Sequence, residues 1–471
     1  MKRIGLLPIM FSLAIAGIAV FGVPQPALAA GVVGNGTPGS CTETALNTAI
    51  SGGGEVTFNC GANPHTILIT SEKIIFSSTS LDGGNLITLD GGGTTRLFSV
   101  NAVGALELHN ITLSRGFASP GGAINNAGLL TIANSTLTGH LTYSYGGAIY
   151  NSGVATITNS SLTNNNAAAS FGGGVYNHES GILSVISSYF GNNFGGLVCG
   201  GIYNVGTTTV QEVTFDSNTG GHAGAIINFG HLLVDHSVFT NNKSSVGNGG
   251  AIHNEASGKE VIIRESTFTK NQAQSSGGAI VNYSPLSLEK NLFQGNGAIT
   301  LGGAIYNYSN GTLTATNNTL TGNTAGNGGG IYSIGIATLT NNTLKVNEVY
   351  GLVNAGAGIV ESLNTLLADN SPSNCSGTIT SLGHNLEDGD SCGFNTTGDL
   401  KNKDPLLGPL ADNGGNTLTF ALLVGSPAIN AGSNTGCPAT DQRGMRRPLL
   451  GVCDIGAYEF GIQLYLPRVR R

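Results

Sequence analysis

The chain repeats one short pattern of apolar and polar positions at intervals of about 26 residues. Its clearest mark is a hexapeptide of the type GGAIYN, in which one large apolar residue stands between small residues and a polar end. Copies of this hexapeptide begin at residues 121, 146, 172, 199, 223, 249, 277, 302, 328 and 356. A repeat of this length without a 3.6-residue period favours a solenoid of short strands over a helical repeat.

Each repeat carries a second signature, a Leu or Phe followed three residues later by Asn, as in Leu162 and Asn165. Further apolar residues stand five and seven positions before that Leu or Phe, mostly with Thr or Ser between them. Alternation with a period of two predicts a strand with one buried face. Three short strands per repeat make one coil, so we predict an all-β parallel β-helix of 12 or 13 coils whose equivalent residues stack at roughly 4.8 Å.

The hexapeptide ends in Asn in most copies. In stacked coils these side chains would lie above one another, and each amide would hydrogen-bond to the coils on either side. The predicted ladder consists of Asn126, Asn151, Asn177, Asn204, Asn228, Asn254, Asn282 and Asn307.

Composition narrows the classes of function. The 471 residues include 74 glycines and no tryptophan, and only 10% of them are charged. The formal net charge is −7 and the few basic residues are scattered, so we expect no nucleic-acid partner. Glycine is abundant without a Gly-X-Y period, which excludes collagen.

Residues 1–29 have the pattern of an export signal. Lys2 and Arg3 precede an apolar run over residues 4–23, and the Ala-Leu-Ala sequence at 27–29 offers a cleavage site. The alternative is an uncleaved N-terminal anchor, because the apolar run is long enough to span a bilayer. We expect cleavage, no stable membrane span after it, and a secreted or cell-surface protein.

Seven cysteines agree with an oxidising compartment. Proximity suggests three pairs, although the sequence leaves other connectivities open. The suggested pairs are Cys41 with Cys60, Cys375 with Cys392, and Cys437 with Cys453. The remaining Cys199 is interpreted as a packed free thiol and not as a nucleophile. The cysteine and histidine spacings suggest no metal site, and we expect no cofactor.

The GGAIYN and Leu/Phe-x-x-Asn repeats resemble those of right-handed parallel β-helix proteins of the pectin-lyase-like superfamily. They are also similar to the GGAI repeats of bacterial polymorphic outer-membrane proteins. This resemblance covers residues 56–370 and implies a right-handed helix, but it specifies no activity. The sequence DPLLGPLADNGGNTLTFALLVGSPAINAG at 404–432, followed by CPATDQRGMRRP at 437–448 and CDIGAYEF at 453–460, resembles the choice-of-anchor Q region of bacterial surface proteins. That second resemblance implies export and surface display.

Both ends of a solenoid need a cover, because exposed strand edges would otherwise pair with other chains. The segment CTETALNTAI at 41–50 predicts a short capping helix that begins after Thr42 or Thr44. We therefore divide the chain into a signal at 1–29, an N-terminal cap at 30–60, the β-helix at 61–370, a choice-of-anchor Q-like region at 371–460 and a basic tail at 461–471. We expect a monomer.

Charged residues on the outer face are concentrated in a few middle coils. One predicted column stacks Asp235, Arg264 and Glu289 with alternating sign, and the next holds His236 and Glu265. One interpretation is an exposed ladder of ion pairs that fixes the register of the coils, each pair contributing ~0–1 kcal/mol. The other is a glycan site in which an acid pair supplies general acid and base. We favour the ladder.

Three functions remain open at this point. We expect an exported, non-catalytic β-helix protein that adheres to a surface or matrix, with a polysaccharide or a surface protein as its partner. The first alternative is a polysaccharide lyase or glycoside hydrolase that acts on an acidic glycan through charges within residues 211–290. The second alternative is a structural spacer.

Overall fold

The computed structural model describes residues 31–168, 170–255 and 259–461. The predicted export signal therefore lies outside the described residues, as does all of the basic tail after Gly461. The described chain is an all-β parallel solenoid of about 14 turns, which confirms the predicted fold class. The two ends account for the small excess over 12 or 13 coils, because parallel pairing already joins Gly31–Val33 to Gly54–Phe58 and continues to Leu386–Glu387.

Three parallel sheets run the length of the solenoid, and the largest has 27 strands. This large sheet contains two strands from a typical coil, a longer one from the alternating segment and a shorter one from the Leu/Phe segment. The longer strands, with the N-terminal strands that precede them, are Gly31–Val33, Gly54–Phe58, His65–Leu68, Ser78–Asp90, Ala105–Ser114, Leu129–Ala133, Val154–Thr158, Ile182–Ile186, Thr207–Gln211, His231–Asp235, Val261–Arg264, Pro285–Glu289, Thr312–Thr316, Ile336–Thr340, Ile359–Leu363 and Thr380–Gly383. The shorter strands are Thr136–Thr138, Ser161–Thr163, Tyr189–Gly191, Thr214–Asp216, Val238–Thr240, Thr267–Thr269, Leu292–Gln294, Thr319–Thr321, Thr343–Lys345, Leu366–Ala368 and Leu386–Glu387.

The hexapeptides form a second sheet of 13 strands, and a third sheet of seven two-residue strands lies between them and the Leu/Phe strands. The 13 strands are Lys73–Ile75, Phe98–Val100, Ile124–Asn126, Ile149–Asn151, Val175–Asn177, Ile202–Asn204, Ile226–Asn228, Ile252–Asn254, Ile280–Asn282, Ile305–Asn307, Ile331–Ser333, Leu352–Asn354 and Cys375–Ser376. The seven are Leu141–Thr142, Asn166–Ala167, Phe194–Gly195, Thr219–Gly220, Lys243–Ser244, Gln272–Ala273 and Gly297–Ala298.

The core is built from stacked columns of identical or similar side chains. Pairing in register brings Ile149 beside Val175 and Leu162 beside Phe190, and all four side chains are fully buried. Consecutive phenylalanines of the Leu/Phe column have ring centroids 4.6–5.0 Å apart, close to the spacing of hydrogen-bonded strands. The members of this stack are Phe190, Phe215, Phe239, Phe268 and Phe293. Strands this short are therefore held mainly by contacts between coils.

Buried asparagines join neighbouring coils. In the predicted ladder, the Asn126 amide donates to the Asn151 side-chain oxygen at 2.7 Å, and the same contact recurs down to Asn307, which donates to the Ser333 hydroxyl at 3.0 Å. A second ladder follows the Asn of the Leu/Phe signature at donor–acceptor distances of 2.9–3.0 Å. Its members are Asn165, Asn193, Asn218, Asn242, Asn271, Asn296, Asn323, Asn347 and Asn370. Satisfied amides in the interior resist slippage of one coil on the next.

A sharp bend joins the longer strand of each coil to the shorter one. One residue at this bend has a left-handed backbone, with φ between 46° and 59°. We call these residues the bend column: Asn110, Asn134, Asn159, Ser187, Glu212, His236, Glu265, Lys290, Asn317, Asn341 and Asn364. Asn is frequent here because it adopts left-handed backbone more readily than most residues. Side chains of the bend column point away from the core.

The N-terminal end is covered by the helix Glu43–Ile50, which follows the 3-10 turn Pro38–Ser40. The Thr42 hydroxyl accepts a hydrogen bond from the Ala45 amide at 3.2 Å, and Leu46 is buried against the first coils. A disulfide joins Cys41 to Cys60.

The chain after the last coil folds back along the outside of the solenoid. It contains the antiparallel pair Leu407–Ala411 and Thr419–Leu422, and disulfides join Cys375 to Cys392 and Cys437 to Cys453. A second small core holds this segment against the last coils. Its buried members are Leu366, Ala368, Leu386, Leu422, Ala428 and Ile455. We refer to residues 404–460 as the return segment.

Candidate functional site

The charged residues singled out in the sequence lie together on the outside of three adjacent coils. Asp235, Arg264 and Glu289 are the last residues of three neighbouring strands, and strand pairing places them in register. His236 and Glu265 follow in the bend column, where the left-handed backbone directs their side chains outward beside the first three. We call these five residues, with Lys290, the charged patch.

The charges in this patch are paired with one another. Arg264 donates to both carboxylate oxygens of Asp235 at 3.1 Å, and this hydrogen bonding raises the pKa of Arg264. The His236 ring lies between two carboxylates, with Nδ1 2.7 Å from Asp235 Oδ1 and Nε2 3.0 Å from Glu265 Oε2. Each ring nitrogen therefore has a carboxylate oxygen within hydrogen-bond distance.

Lys290 contacts the two glutamates of the charged patch. Its Nζ lies 3.7 Å from Glu265 Oε1 and 3.5 Å from Glu289 Oε1. The return segment adds two contacts here, since the Asn416 amide donates to Glu265 and the Thr417 hydroxyl donates to the Lys290 carbonyl at 3.0 Å. Glu265 thus has three partners, and its side chain is only 25% exposed.

A groove opens on the bend column beside the charged patch, over the preceding coils. It has a volume of about 590 Å³ and is lined almost entirely by neutral polar side chains. The lining residues are Asn134, Ser135, Thr136, Asn159, Ser160, Ser161, Ser187, Ser188, Tyr189, Glu212 and Thr214. None of the five predicted site residues is among them. The charged patch is therefore an ion-pair network beside the groove and does not form its wall.

An aromatic row that the sequence did not lead us to expect lies on the hexapeptide sheet of three adjacent coils. The fifth residue of the hexapeptide faces outward, and Tyr150, Tyr176 and Tyr203 stack there with nearly parallel rings at 5.4 and 5.1 Å. Burial among the other rings raises the pKa of Tyr176 to about 12. Adjacent rings cover one another's faces, so the row presents mainly edges and hydroxyl groups to solvent. The tyrosine at the fifth position of several hexapeptide copies was the feature of the sequence that could have predicted this row.

We also considered the free thiol of Cys199 and possible metal ligands as reactive groups. Cys199 is fully buried, its thiol donates to the Ile202 carbonyl at 3.1 Å, and burial raises its pKa to about 12. A thiol with that pKa is protonated at neutral pH and is a poor nucleophile. Within the described ranges, no group of three His, Cys, Asp or Glu side chains is arranged to hold a metal ion. No helix in the same part of the chain is long and apolar enough to cross a membrane.

The match to one family model agrees with the coil architecture. A family model described as a right-handed beta helix region matches residues 201–371. Curated proteins give no match to the sequence. The crystal structure of PfbA, a surface adhesin of Streptococcus pneumoniae, aligns with a TM-score of 0.39 and 14% sequence identity, covering 74% of this chain and 92% of that chain. The family match and the stacked parallel coils together define a β-helix repeat protein.

Proposed function

We propose that the protein is an exported, non-catalytic β-helix protein that adheres to a polysaccharide or protein matrix at the cell surface or after secretion. Three disulfides in one chain suggest an extracellular protein, because the cytosol keeps thiols reduced. The signal pattern at residues 1–29 supports the same location.

The pairing of the charged patch is the observation that supports a non-catalytic role. Asp235 is held by Arg264 and His236, and Glu265 is held by His236, Lys290 and Asn416. A general acid and base need a reacting group between them, whereas these carboxylates already face cations of the same network. The patch is suited to fixing the coil register and the position of the return segment.

A glycan-cleaving enzyme is the second candidate. The observation that favours it is the His236 ring between two carboxylates beside an open groove, since such a group can abstract or donate a proton. A structural spacer with no ligand is the third.

We further propose that the GGAI-type repeats relate the chain to the pectin-lyase-like and polymorphic outer-membrane proteins. In the same proposal, residues 30–60 form the cap, 61–370 form the β-helix proper and 371–460 form a choice-of-anchor Q-like region. The motifs at 404–432 and 453–460 support this division, and surface display is what it implies.

The test combines turnover and retention in one panel. The exported chain is incubated with acidic and neutral polysaccharides and with insoluble matrix, and new reducing ends, unsaturated uronates and bound protein are measured. We expect retention on at least one material without turnover. The Asp235→Asn/Glu265→Gln double variant should be retained as well as the unsubstituted chain, because neither carboxylate contacts the ligand.

The control is Glu179→Gln, which neutralises an exposed carboxylate in another coil. Turnover that disappears in the double variant and persists in the control would make the charged patch a catalytic site. An absence of both retention and turnover would favour the spacer.

A further inference from the structure

The bend column has a covered part and an open part. From Glu265 to Asn364 the return segment lies on it, and Asn317, Asn341 and Asn364 are fully buried there. From Asn134 to Glu212 the same column is exposed and lines the groove. One continuous surface therefore carries an intramolecular interface at one end and no covering segment of the described chain at the other.

The covered part recognises main-chain groups. The side-chain amides of three bend-column residues donate to carbonyl oxygens of the return segment: Asn317 to Thr440 at 2.8 Å, Asn341 to Asp454 at 2.9 Å and Asn364 to Ser433 at 3.0 Å. Main-chain amides are bound as well, since Ser433 donates to the Asn364 side-chain oxygen at 2.7 Å and Ala457 donates to the Thr343 hydroxyl at 3.0 Å. These contacts do not depend on the side chains of the bound segment.

The open part repeats this chemistry. Asn134 and Asn159 occupy the same column, with φ of 51° and 46° against 55° and 53° for Asn317 and Asn341. Within the described chain their side-chain amides have no hydrogen-bond partner, and both residues are exposed. Position by position, Thr136 and Ser161 correspond to Thr343, since each lies two residues after its bend-column Asn.

We propose that the open part of the bend column binds an extended polypeptide segment of a partner protein. Its main-chain carbonyls accept from Asn134 and Asn159, and its main-chain amides donate to hydroxyls of the groove. Glu212, the charged residue of the lining, pairs with a Lys or Arg of the bound segment. This inference deepens the proposed function, on which it rests, by naming the chemistry of the partner.

Size and chemistry both suit a peptide. Three coil steps separate Asn134 from Glu212, so the groove is roughly 14 Å long at the usual strand spacing and accommodates about four extended residues. A polypeptide is favoured over a glycan because the return segment shows main-chain groups bound by the same column in the same backbone conformation. Within the bend column, one residue, His236, separates the groove from that interface.

The experiment starts from a phage-displayed library of random 12-residue peptides selected on the full chain. The most enriched peptide is synthesised with a fluorescent label and titrated by anisotropy. We expect the Asn134→Gly/Asn159→Gly variant to weaken binding about tenfold or more, because two hydrogen bonds are lost and glycine keeps the left-handed backbone. Glu212→Gln should weaken only peptides that contain Lys or Arg.

The matched control is Asn164→Gly/Asn192→Gly, two exposed asparagines with φ of 55° and 53° at the next bend of the coil. Its affinity should stay within about twofold of the unsubstituted chain, a change well below one lost hydrogen bond. Failure to select any peptide, or equal loss in both double variants, would overturn the proposal. So would a groove that binds soluble oligosaccharides in an Asn134- and Asn159-dependent way but no peptide.

The two proposals fail separately. If the unsubstituted chain is retained on matrix but binds no selected peptide through Asn134 and Asn159, this inference is wrong, while the proposed function stands. If the unsubstituted chain is retained on no matrix yet binds the selected peptide through the groove, the inference stands and the adhesive role is wrong.

Discussion

At the scale of single residues, the left-handed bend explains where this chain tolerates polar and charged side chains. Asn adopts this backbone readily, whereas Glu and Lys do so at a cost of roughly 1–2 kcal/mol each. Glu212, His236, Glu265 and Lys290 nevertheless occupy the column in the middle coils. The last three gain polar partners in the charged patch, and these contacts offset part of the backbone cost.

His140 takes the place of an asparagine at the start of the second asparagine ladder. It stands where the following coils have Asn, and its Nδ1 accepts from the Gly116 amide at 2.8 Å while its Nε2 lies 3.1 Å from the Leu113 carbonyl. Asn165 makes the same type of bond to the Leu137 carbonyl at 3.1 Å. The neutral imidazole therefore replaces an amide, with one nitrogen accepting and the other donating.

We predict that His140 makes the protein sensitive to acid. Burial lowers the pKa of His140 from 6.5 to about 3, so its contribution to stability is complete above pH 6.5 and is lost as the pH falls toward 3. The loss at pH 5 should be on the order of 2 kcal/mol. His140→Asn should remove this part of the pH dependence, as measured by urea unfolding at pH 7 and pH 5.

His231→Asn is the control, because His231 is exposed on its strand. It should leave the difference in unfolding free energy between the two pH values unchanged. An equal pH dependence in the unsubstituted chain and in His140→Asn would show that His140 is protonated without cost in the folded protein.

At the scale of strands and ladders, each residue of the hexapeptide has a structural role in the coil. Its apolar residue fills the core, its last residue hydrogen-bonds to the next coil, and its first glycine often has a left-handed backbone, as at Gly146 with φ of 71°. Strands of three residues contribute few hydrogen bonds of their own. Their stability comes from neighbouring coils, as expected for a repeat protein.

Replacing one ladder member should destabilise several coils. Asn204 donates to Asn228 at 2.7 Å and to the His231 carbonyl at 2.9 Å, and it accepts from Asn177 at 2.9 Å. Asn204→Ala would leave these buried groups unsatisfied, so we expect the free energy of unfolding to fall by roughly 1–3 kcal/mol. Chemical denaturation measures this change, with the exposed Asn164→Gly as a control that should fall by less than the ladder variant.

At the scale of the whole molecule, the return segment decides which outer surfaces are available. It crosses the large sheet on the bend column and covers the last coils with a core of its own. Gln442 anchors it, since this buried side chain accepts from the Thr319 hydroxyl at 2.6 Å and donates to the Asn291 carbonyl at 3.3 Å and to the Thr417 hydroxyl at 2.9 Å. The proposed peptide would bind the part of the bend column that this segment leaves uncovered.

Gln442→Ala should loosen the return segment without unfolding the solenoid. Losing these bonds should cost roughly 1–3 kcal/mol locally, which corresponds to faster amide exchange by a factor of about 5–150 in residues 404–460. Hydrogen-exchange mass spectrometry should show unchanged protection in residues 121–240. Gln274→Ala, at an exposed position, is the control and should change neither region. Equal loss of protection along the whole chain would mean that the segment and the solenoid unfold together.

The sequence alone determined the coil. Period-two alternation places apolar residues such as Ile157 and Leu162 inside, and the regular spacing of the copies requires equivalent residues to stack, because each coil must bury its face against the next. It also indicated which charged residues would meet, since Asp235 and Arg264 are equivalent positions of adjacent coils.

Only the tertiary structure decided what the outer surface offers. The contacts of Asn416 with Glu265 and of Thr440 with Asn317 join residues more than a hundred positions apart, and no periodicity relates the return segment to the coils it covers. The path of that segment covers the bend column from Glu265 to Asn364 and leaves it open from Asn134 to Glu212. Repetition fixes the local environment of each residue, but only long-range packing distinguishes one copy from the next.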